Sequence, residues 1–288
     1  MGADAARRED RRAQRTGERA GIRLMTWYTG DSTYDTVLTL AFGLVVFVFI
    51  GAAFMKSPYG RFASDKWGVN LSPRLGWFLM ELPAMLSFLF FYFQGRNRFE
   101  IVPLFFLLVW VIHYGNRGFV FPYLIRSPKG ATASFSITIV VMGWLVTTLH
   151  GYLNAAFISD LSTQFTLDWF ADPRFVIGIS IYYASFVLNI HSDAIVRNLR
   201  SIDEVQRGEK VYRIPRGGLF RFVSNPSYLT EITAFTGFAI ATWSLGATFI
   251  LLITIANLVP RAFQTHRWYR EKFPDYPNER RVLIPFVL

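Results

Sequence analysis

The sequence predicts an all-α, polytopic membrane protein with seven transmembrane helices. Three observations lead there. Of 288 residues, 52% are hydrophobic and only 17% charged, against about 25% charged in ordinary soluble domains. The apolar residues lie in long uncharged runs, each close to the roughly 20 residues that cross about 30 Å of hydrocarbon. Lys and Arg concentrate in alternate connections between those runs. A chain so apolar is not disordered.

Residues 1–35 read as a polar, arginine-rich arm. Arg7, Arg8, Arg11, Arg12, Arg15, Arg19 and Arg23 stand against Asp4, Glu9, Asp10 and Glu18, a mixture that builds no packed core. A solvated arm or a surface helix both fit. The run that follows, Val37 to Phe54, has 18 residues. That exceeds the about 7–15 of a signal peptide's apolar region, so it is taken as the first span. Further spans are expected at about 73–93, 99–124, 134–157, 174–196, 228–244 and 246–264, and residues 36–288 then form one membrane domain. Pro83 frees the carbonyl of Leu79 and predicts a kink in the second span. The last two spans are joined by a tight hairpin at Ser244-Leu245-Gly246. The connection 197–227 is long enough to suggest function.

Charge sets the expected orientation. With a cytoplasmic C-terminus, nineteen Lys and Arg fall on the inner connections and tail, among them Lys56, Arg61, Lys66, Lys129, Lys210 and Arg281. Only Arg96, Arg98 and Arg174 fall on outer loops. The seven arginines of the arm then lie outside, against the rule. The net charge of +10 sits between apolar segments, which points to membrane lipid headgroups or an anionic cofactor and not to nucleic acid. A monomer is expected.

Several chemistries have no sequence support. There is no Cys, which removes disulfides and thiolate ligands. No GxGxxG, phosphate loop or GxSxG elbow occurs. His113, His150, His191 and His266 have no metal-ligand spacing, so no metal is expected.

Polar residues at span depth are few, and a carboxylate or guanidinium there costs roughly 2.5–3.5 kcal/mol on insertion scales. Glu81 lies near the middle of the second span. His113, Tyr114 and Arg117 lie in the third, with Tyr114 and Arg117 at i,i+3 on one helical face. Asn189, His191 and Asp193 end the fifth; Asn189 and Asp193 share a face, and Arg200 continues that stripe if the helix continues. Ser227 and Glu231 are i,i+4 at the start of the sixth. Arg261, Thr265 and Tyr269 recur every four residues near the end of the seventh. Most lie near the cytoplasmic ends of their spans, where they could form one polar chamber. Individually they could also be structural ion pairs, Glu81 with Arg117 or Asp193 with Arg197. Trp77, one turn before Glu81, could line a cavity or anchor the helix at the interface.

The chain resembles the steroid 5α-reductase family, in a bacterial-type version. The likeness covers about residues 75–288. It is carried by Asn189-Ile190-His191-Ser192-Asp193, Tyr212-Arg213-Ile214-Pro215, Gly217-Gly218-Leu219-Phe220, Ala241-Thr242-Trp243-Ser244 and Arg261-Ala262-Phe263. His266-Arg267-Trp268-Tyr269, Asp275-Tyr276-Pro277 and Leu283-Ile284-Pro285-Phe286 complete the C-terminal half. The N-terminal half matches at Trp77-Phe78-Leu79, Glu81-Leu82-Pro83, His113-Tyr114 and Arg117. The resemblance implies a seven-span fold that binds NADPH at its cytoplasmic ends and reduces the Δ4 double bond of 3-oxo steroids. It implies that Glu81 and Tyr114 face the substrate ketone, with Trp77 and Met80 among the substrate contacts. It implies a cofactor site of Arg117, Asn189, Asp193, Arg200, Tyr212, Arg213, Ser227, Glu231, Arg261, His266 and Tyr269. Three positions depart from the pattern: Met80 stands where Gln is common, Ser227 where Asn is usual, and Thr265-His266 where the family pairs two His.

Reduction of an enone requires hydride at the β-carbon, donors at the carbonyl oxygen, and exclusion of water. Tyr114 is a neutral donor. Glu81 is either a protonated second donor or the group that orients Tyr114. A sterol or related apolar enone would enter from lipid. Two competing classes are a membrane methyltransferase of the isoprenylcysteine carboxyl type, which shares an Asn225-Pro226-Ser227-Tyr228 signature, and a seven-span sterol-binding or transport protein. The first has no need of Glu81 and Tyr114. The second tends to carry internal repeats, and none is seen.

Overall fold

The computed structural model describes residues 26–54, 68–126, 135–209 and 211–288. Most of the arginine arm, with Lys56, Arg61, Lys66, Lys129 and Lys210, lies outside the described residues. The chain divides into two compact units, residues up to Thr36 and Val37–Leu288. In the first, the Asp35 carboxylate gathers the backbone N–H groups of Tyr28 and Thr29 at 2.8 and 3.0 Å, and the Thr29 hydroxyl at 2.8 Å.

Among the described residues the protein is all-α apart from a two-residue ladder pairing β1 (Asn70–Leu71) with β2 (Phe135–Ser136) and a single bridge between Val223 and Arg281. Helix α1 runs Ser32–Phe54 and α2 Pro73–Tyr92. Helix α3, Ile101–Tyr114, passes through a π turn at Gly115–Val120 into the short α4, Phe121–Leu124. Helix α5, Ile137–Ala156, ends in a second π turn, Phe157–Leu161. Then follow α6 (Pro173–Arg197), α7 (Ile202–Gln206), α8 (Pro226–Thr242) and α9 (Leu245–Lys272). Local chemistry sets the starts. Ser72, Ser136, Asp172 and Ser244 each cap a helix with a side-chain oxygen, and Pro73, Pro173 and Pro226 open theirs, where a missing N–H costs nothing.

Among the described residues, six helical segments are long and apolar enough to cross a membrane: Ser32–Phe54, Pro73–Tyr92, Ile101–Leu124, Ile137–Leu161, Pro173–Arg197 and Leu245–Lys272. This is an integral, multi-pass membrane protein. The segment expected as the sixth span forms α8, which is not among these six: its 17 residues reach only about 26 Å, at the short limit for a crossing. Outward side chains such as Phe47, Phe54, Phe90 and Val187 are exposed, as lipid contact requires.

Two close approaches fix the core. Gly178 of α6 and Gly237 of α8 face each other so tightly that a methyl on either would enter the other's backbone; small residues allow this contact. Gly151 of α5 leaves no room for a side chain against Ser87 of α2. The expected hairpin occurs one residue early. Trp243 turns the chain in the left-handed region at φ 47°, a strained conformation for a bulky residue, and Ser244 caps α9 through the N–H of Ala247 at 3.1 Å. Helix α9 continues eight residues beyond the expected end and contains Pro260. The connection after α6 is partly ordered by α7, which opens with a Ser201–Glu204 capping box.

Candidate active site

Arg117 is the hub of a buried polar cluster drawn from four segments of the chain. Its Nε lies 3.7 Å from Oε1 of Glu81 on α2, and its Nη1 3.9 Å from Oδ2 of Asp193 on α6. The guanidinium lies over the rings of Trp77 and Phe121, at 4.5 and 5.1 Å, an arrangement that favours a desolvated cation. Gly118, in the same π turn, lets that turn sit against Glu81.

Asn189 and Asp193, one turn apart on α6, both bond to the first turns of α8. Ser227 Oγ donates to Asp193 at 2.6 Å. Asn189 Nδ2 lies within 2.9–3.1 Å of the Ser227 carbonyl, Thr230 Oγ1 and Glu231 Oε2. The other Glu231 oxygen is 3.5 Å from Nε2 of His113. Three acids thus meet one guanidinium and one imidazole, so acceptors exceed donors and the cluster suits a ligand rich in amide and hydroxyl groups.

Tyr114 ends α3 and is buried. Its Oη is 3.0 Å from Nε2 of His150 on α5, so the hydroxyl is oriented by a histidine and not by Glu81. The expectation that Tyr114 and Arg117 share an α-helical face is corrected, because the π turn begins between them. Tyr114 reaches α5, and Arg117 reaches α2 and α6. Such π turns often mark functional sites. Trp110, His113, Tyr114, Tyr182, Phe235 and Phe238 line most of a small space of about 10 Å³. His113 Nδ1, buried beside it, has no hydrogen-bond partner among the described residues. Met80 lies against Gly143 of α5.

The remaining expected residues gather elsewhere. On α9, Arg261 Nε donates to Tyr228 Oη at 2.8 Å, and His266 Nδ1 lies 2.6 Å from Ser224 Oγ. Ser224 Oγ is also 2.6 Å from Tyr276 Oη, and Tyr269 stacks on the Tyr276 ring at 5.4 Å. This second cluster clamps the C-terminal tail to the segment before α8. It adjoins the first through consecutive residues, Ser227 and Tyr228. Arg200 is not on an extended α6 stripe: the helix ends at Arg197, and the Arg200 carbonyl accepts from Arg126 Nη1 at 2.6 Å. Tyr212 is exposed, edge-on to Trp268 at 5.1 Å. Arg213 grips the Glu204 carboxylate and the Leu199 carbonyl, and holds the Glu204 carboxyl down at about 2. Arg213 and Glu204 were not expected to pair.

His150 is the main residue that sequence reasoning passed over. A histidine inside an apolar span is itself a span-depth polar group, and that is the signal that marks it. Among the described residues no group of acids and histidines is placed to hold a metal.

Comparison with known proteins follows this geometry. The family model described as 3-oxo-5-alpha-steroid 4-dehydrogenase matches residues 133–288, more than half of the chain. The rat protein named 3-oxo-5-alpha-steroid 4-dehydrogenase 1 is 40% identical over 249 residues, covering 85% of this chain and 92% of its own. The human protein of the same name is 35% identical, covering 81% and 86%. The tomato (Solanum lycopersicum) protein named Steroid 5-alpha-reductase DET2 is 36% identical, covering 87% and 94%. These mammalian and plant relatives give no support to a bacterial type. On the model match and on identities above 30% across most of both chains, this protein belongs to the 3-oxo-5-alpha-steroid 4-dehydrogenase (steroid 5-alpha-reductase) family.

Proposed function

We propose that the protein reduces the Δ4 double bond of 3-oxo-Δ4 steroids with NADPH, delivering hydride to C5 within the membrane. Seven helices cross the bilayer in this reading, α8 included. The C-terminus and the cofactor site lie on the cytoplasmic side, and the enzyme works as a monomer on a steroid taken from lipid.

One observation carries the reading beyond family membership: a buried tyrosine and a buried glutamate stand beside a cluster of Arg117, Asn189, Asp193, Ser227 and Glu231. That donor and acceptor set fits a dinucleotide. Asn189 and Glu231 suit an amide, Asp193 and Ser227 suit hydroxyls, and Arg117, Arg200, Arg213 and Arg261 suit phosphates. Tyr212, His266 and Tyr269 extend the site along the loop and α9. The space beside Tyr114 admits about one water, so neighbouring side chains must part to admit ligands.

NADPH supplies the hydride when bound. The chain's own residues do the rest. Tyr114 directs its hydroxyl at the steroid carbonyl oxygen, where negative charge develops. Glu81 donates to the same oxygen. Arg117 holds Glu81 in place, while Trp77 and Met80 border the apolar side. Such donors stabilise an enolate-like oxygen more than the ground-state carbonyl.

The deciding test is NADPH oxidation by purified protein across a panel of 3-oxo-Δ4 steroids, with the configuration at C5 determined. Steroid-dependent oxidation giving the 5α product is expected. No oxidation with any member, or product from S-adenosylmethionine instead, would remove the assignment.

A further inference from the structure

Resting on that reading, we infer that His150 is a positioning residue: as its Nε2–H tautomer it donates to Tyr114 Oη and leaves the phenol proton free for the substrate carbonyl. The hydrogen bond is 3.0 Å long and both residues are buried.

The direction of this bond decides whether Tyr114 can act. A phenol has one proton. If Tyr114 donated it to His150, the hydroxyl would have none left for a carbonyl. If His150 donates, the phenol oxygen is fixed by an accepted bond and its own proton points elsewhere. Donation into the phenol oxygen also polarises the O–H in a low-dielectric site, which strengthens the bond it makes in turn.

The surroundings hold His150 where this requires it. At the next residue, Gly151 brings α5 against Ser87 and Phe88 of α2 with no space for a side chain. One turn on, Asn154 Nδ2 donates to the His150 carbonyl at 2.9 Å and to the Gly246 carbonyl of α9 at 3.2 Å. Trp110 stands edge-on to the imidazole at 5.5 Å and packs on the Tyr114 ring at 4.8 Å. Its own indole N–H is committed to the Ala84 carbonyl at 3.0 Å. The imidazole therefore has a fixed ring plane and a fixed depth.

The test is a double-mutant cycle on single-turnover hydride transfer with NADPH-loaded protein and a 3-oxo-Δ4 steroid. His150→Ala is expected to slow transfer about tenfold to hundredfold, less than the loss of a donor that meets the oxygen directly, with NADPH affinity unchanged. His150→Gln retains an N–H donor and is expected to recover most of the rate. In a Tyr114→Phe background, His150→Ala should cost nothing further, because its effect passes through the hydroxyl. A histidine that merely packs would give equal losses in both backgrounds and no recovery by Gln, and either result overturns the proposal. If Tyr114→Phe alone leaves the rate unchanged, the assignment of Tyr114 fails instead, which is a separate outcome. If His150→Ala does not fold, the Gln variant and a His150→Asn variant complete the cycle.

Discussion

Trp144 donates its indole N–H to the carbonyl of Leu79 at 2.6 Å, and that carbonyl is the one Pro83 leaves without its helical partner. The sequence predicts a kink from Pro83. The structure adds the residue on α5 that satisfies the freed oxygen, inside a segment where no water is available to do so. Ser87, one turn on, donates to the Pro83 carbonyl at 2.6 Å. Between them, Leu79, Leu82, Pro83, Leu86, Trp144 and Thr148 border an outward groove of about 370 Å³.

Trp144→Phe keeps an aromatic ring and removes the donor. It is expected to destabilise the protein by about 1–2 kcal/mol, with cofactor affinity retained. Thermal unfolding in detergent measures this, and an unchanged midpoint would mean that the Leu79 carbonyl finds another partner.

The pairing of α6 with α8 makes a second expectation. Gly178 and Gly237 bring the two backbones into contact, and the same helices present Asn189, Asp193, Ser227 and Glu231 to one another. Gly237→Ala should cost about 1–3 kcal/mol through overpacking. It should also weaken NADPH binding although it lies away from the polar cluster. Titration of NADPH by fluorescence, read beside the unfolding midpoint, separates the two effects.

Arg117 counters the buried Asp193 carboxylate and lies beside Glu81. Arg117→Met leaves Asp193 without its cation, and breaking a buried pair in this way costs about 3–5 kcal/mol. Arg117→Lys keeps the charge but loses the planar group over Trp77, so it should fall between wild type and Met in unfolding midpoint. Equal stability of all three would show that the cluster does not depend on this cation.

Arg213 is expected to read the 2′-phosphate, so Arg213→Ala should weaken NADPH at least tenfold more than NADH. Glu204 competes for the same guanidinium, and Glu204→Gln should tighten NADPH several-fold. The Glu204 carboxyl is held at about 2, below its ordinary 4.5. Its folded-state value is depressed, so the pairing is present above the ordinary value and lost as pH falls toward the lower one. The advantage of Glu204→Gln should therefore stay constant from about pH 6 to 8. Equal losses of NADPH and NADH in Arg213→Ala would remove Arg213 from the phosphate site.

The helices were legible because apolar runs of membrane length leave little choice: a backbone in hydrocarbon must bond to itself. Pro83 and the Asn189–Asp193 spacing were legible because each acts within a turn or two of its own helix. What the sequence concealed depends on contacts between helices or on departures from regular geometry. The π turn at Gly115–Val120 separates Tyr114 from Arg117, and no periodicity of 3.6 predicts it. The termination of α6 at Arg197 removes Arg200 from the stripe that spacing alone would give it. The Tyr114–His150 bond joins residues 36 positions apart, on α3 and α5, and only the packing of the helices brings them together.

The central claim is that Tyr114 and Glu81 act on the substrate carbonyl and not on the cofactor. The most direct measurement is single-turnover hydride transfer from bound NADPH to a 3-oxo-Δ4 steroid in folded Tyr114→Phe and Glu81→Ala variants. The expected result is a rate about 10²–10³ lower in Tyr114→Phe and a comparable loss in Glu81→Ala, with NADPH affinity retained in both. Wild-type rates in both variants would contradict it.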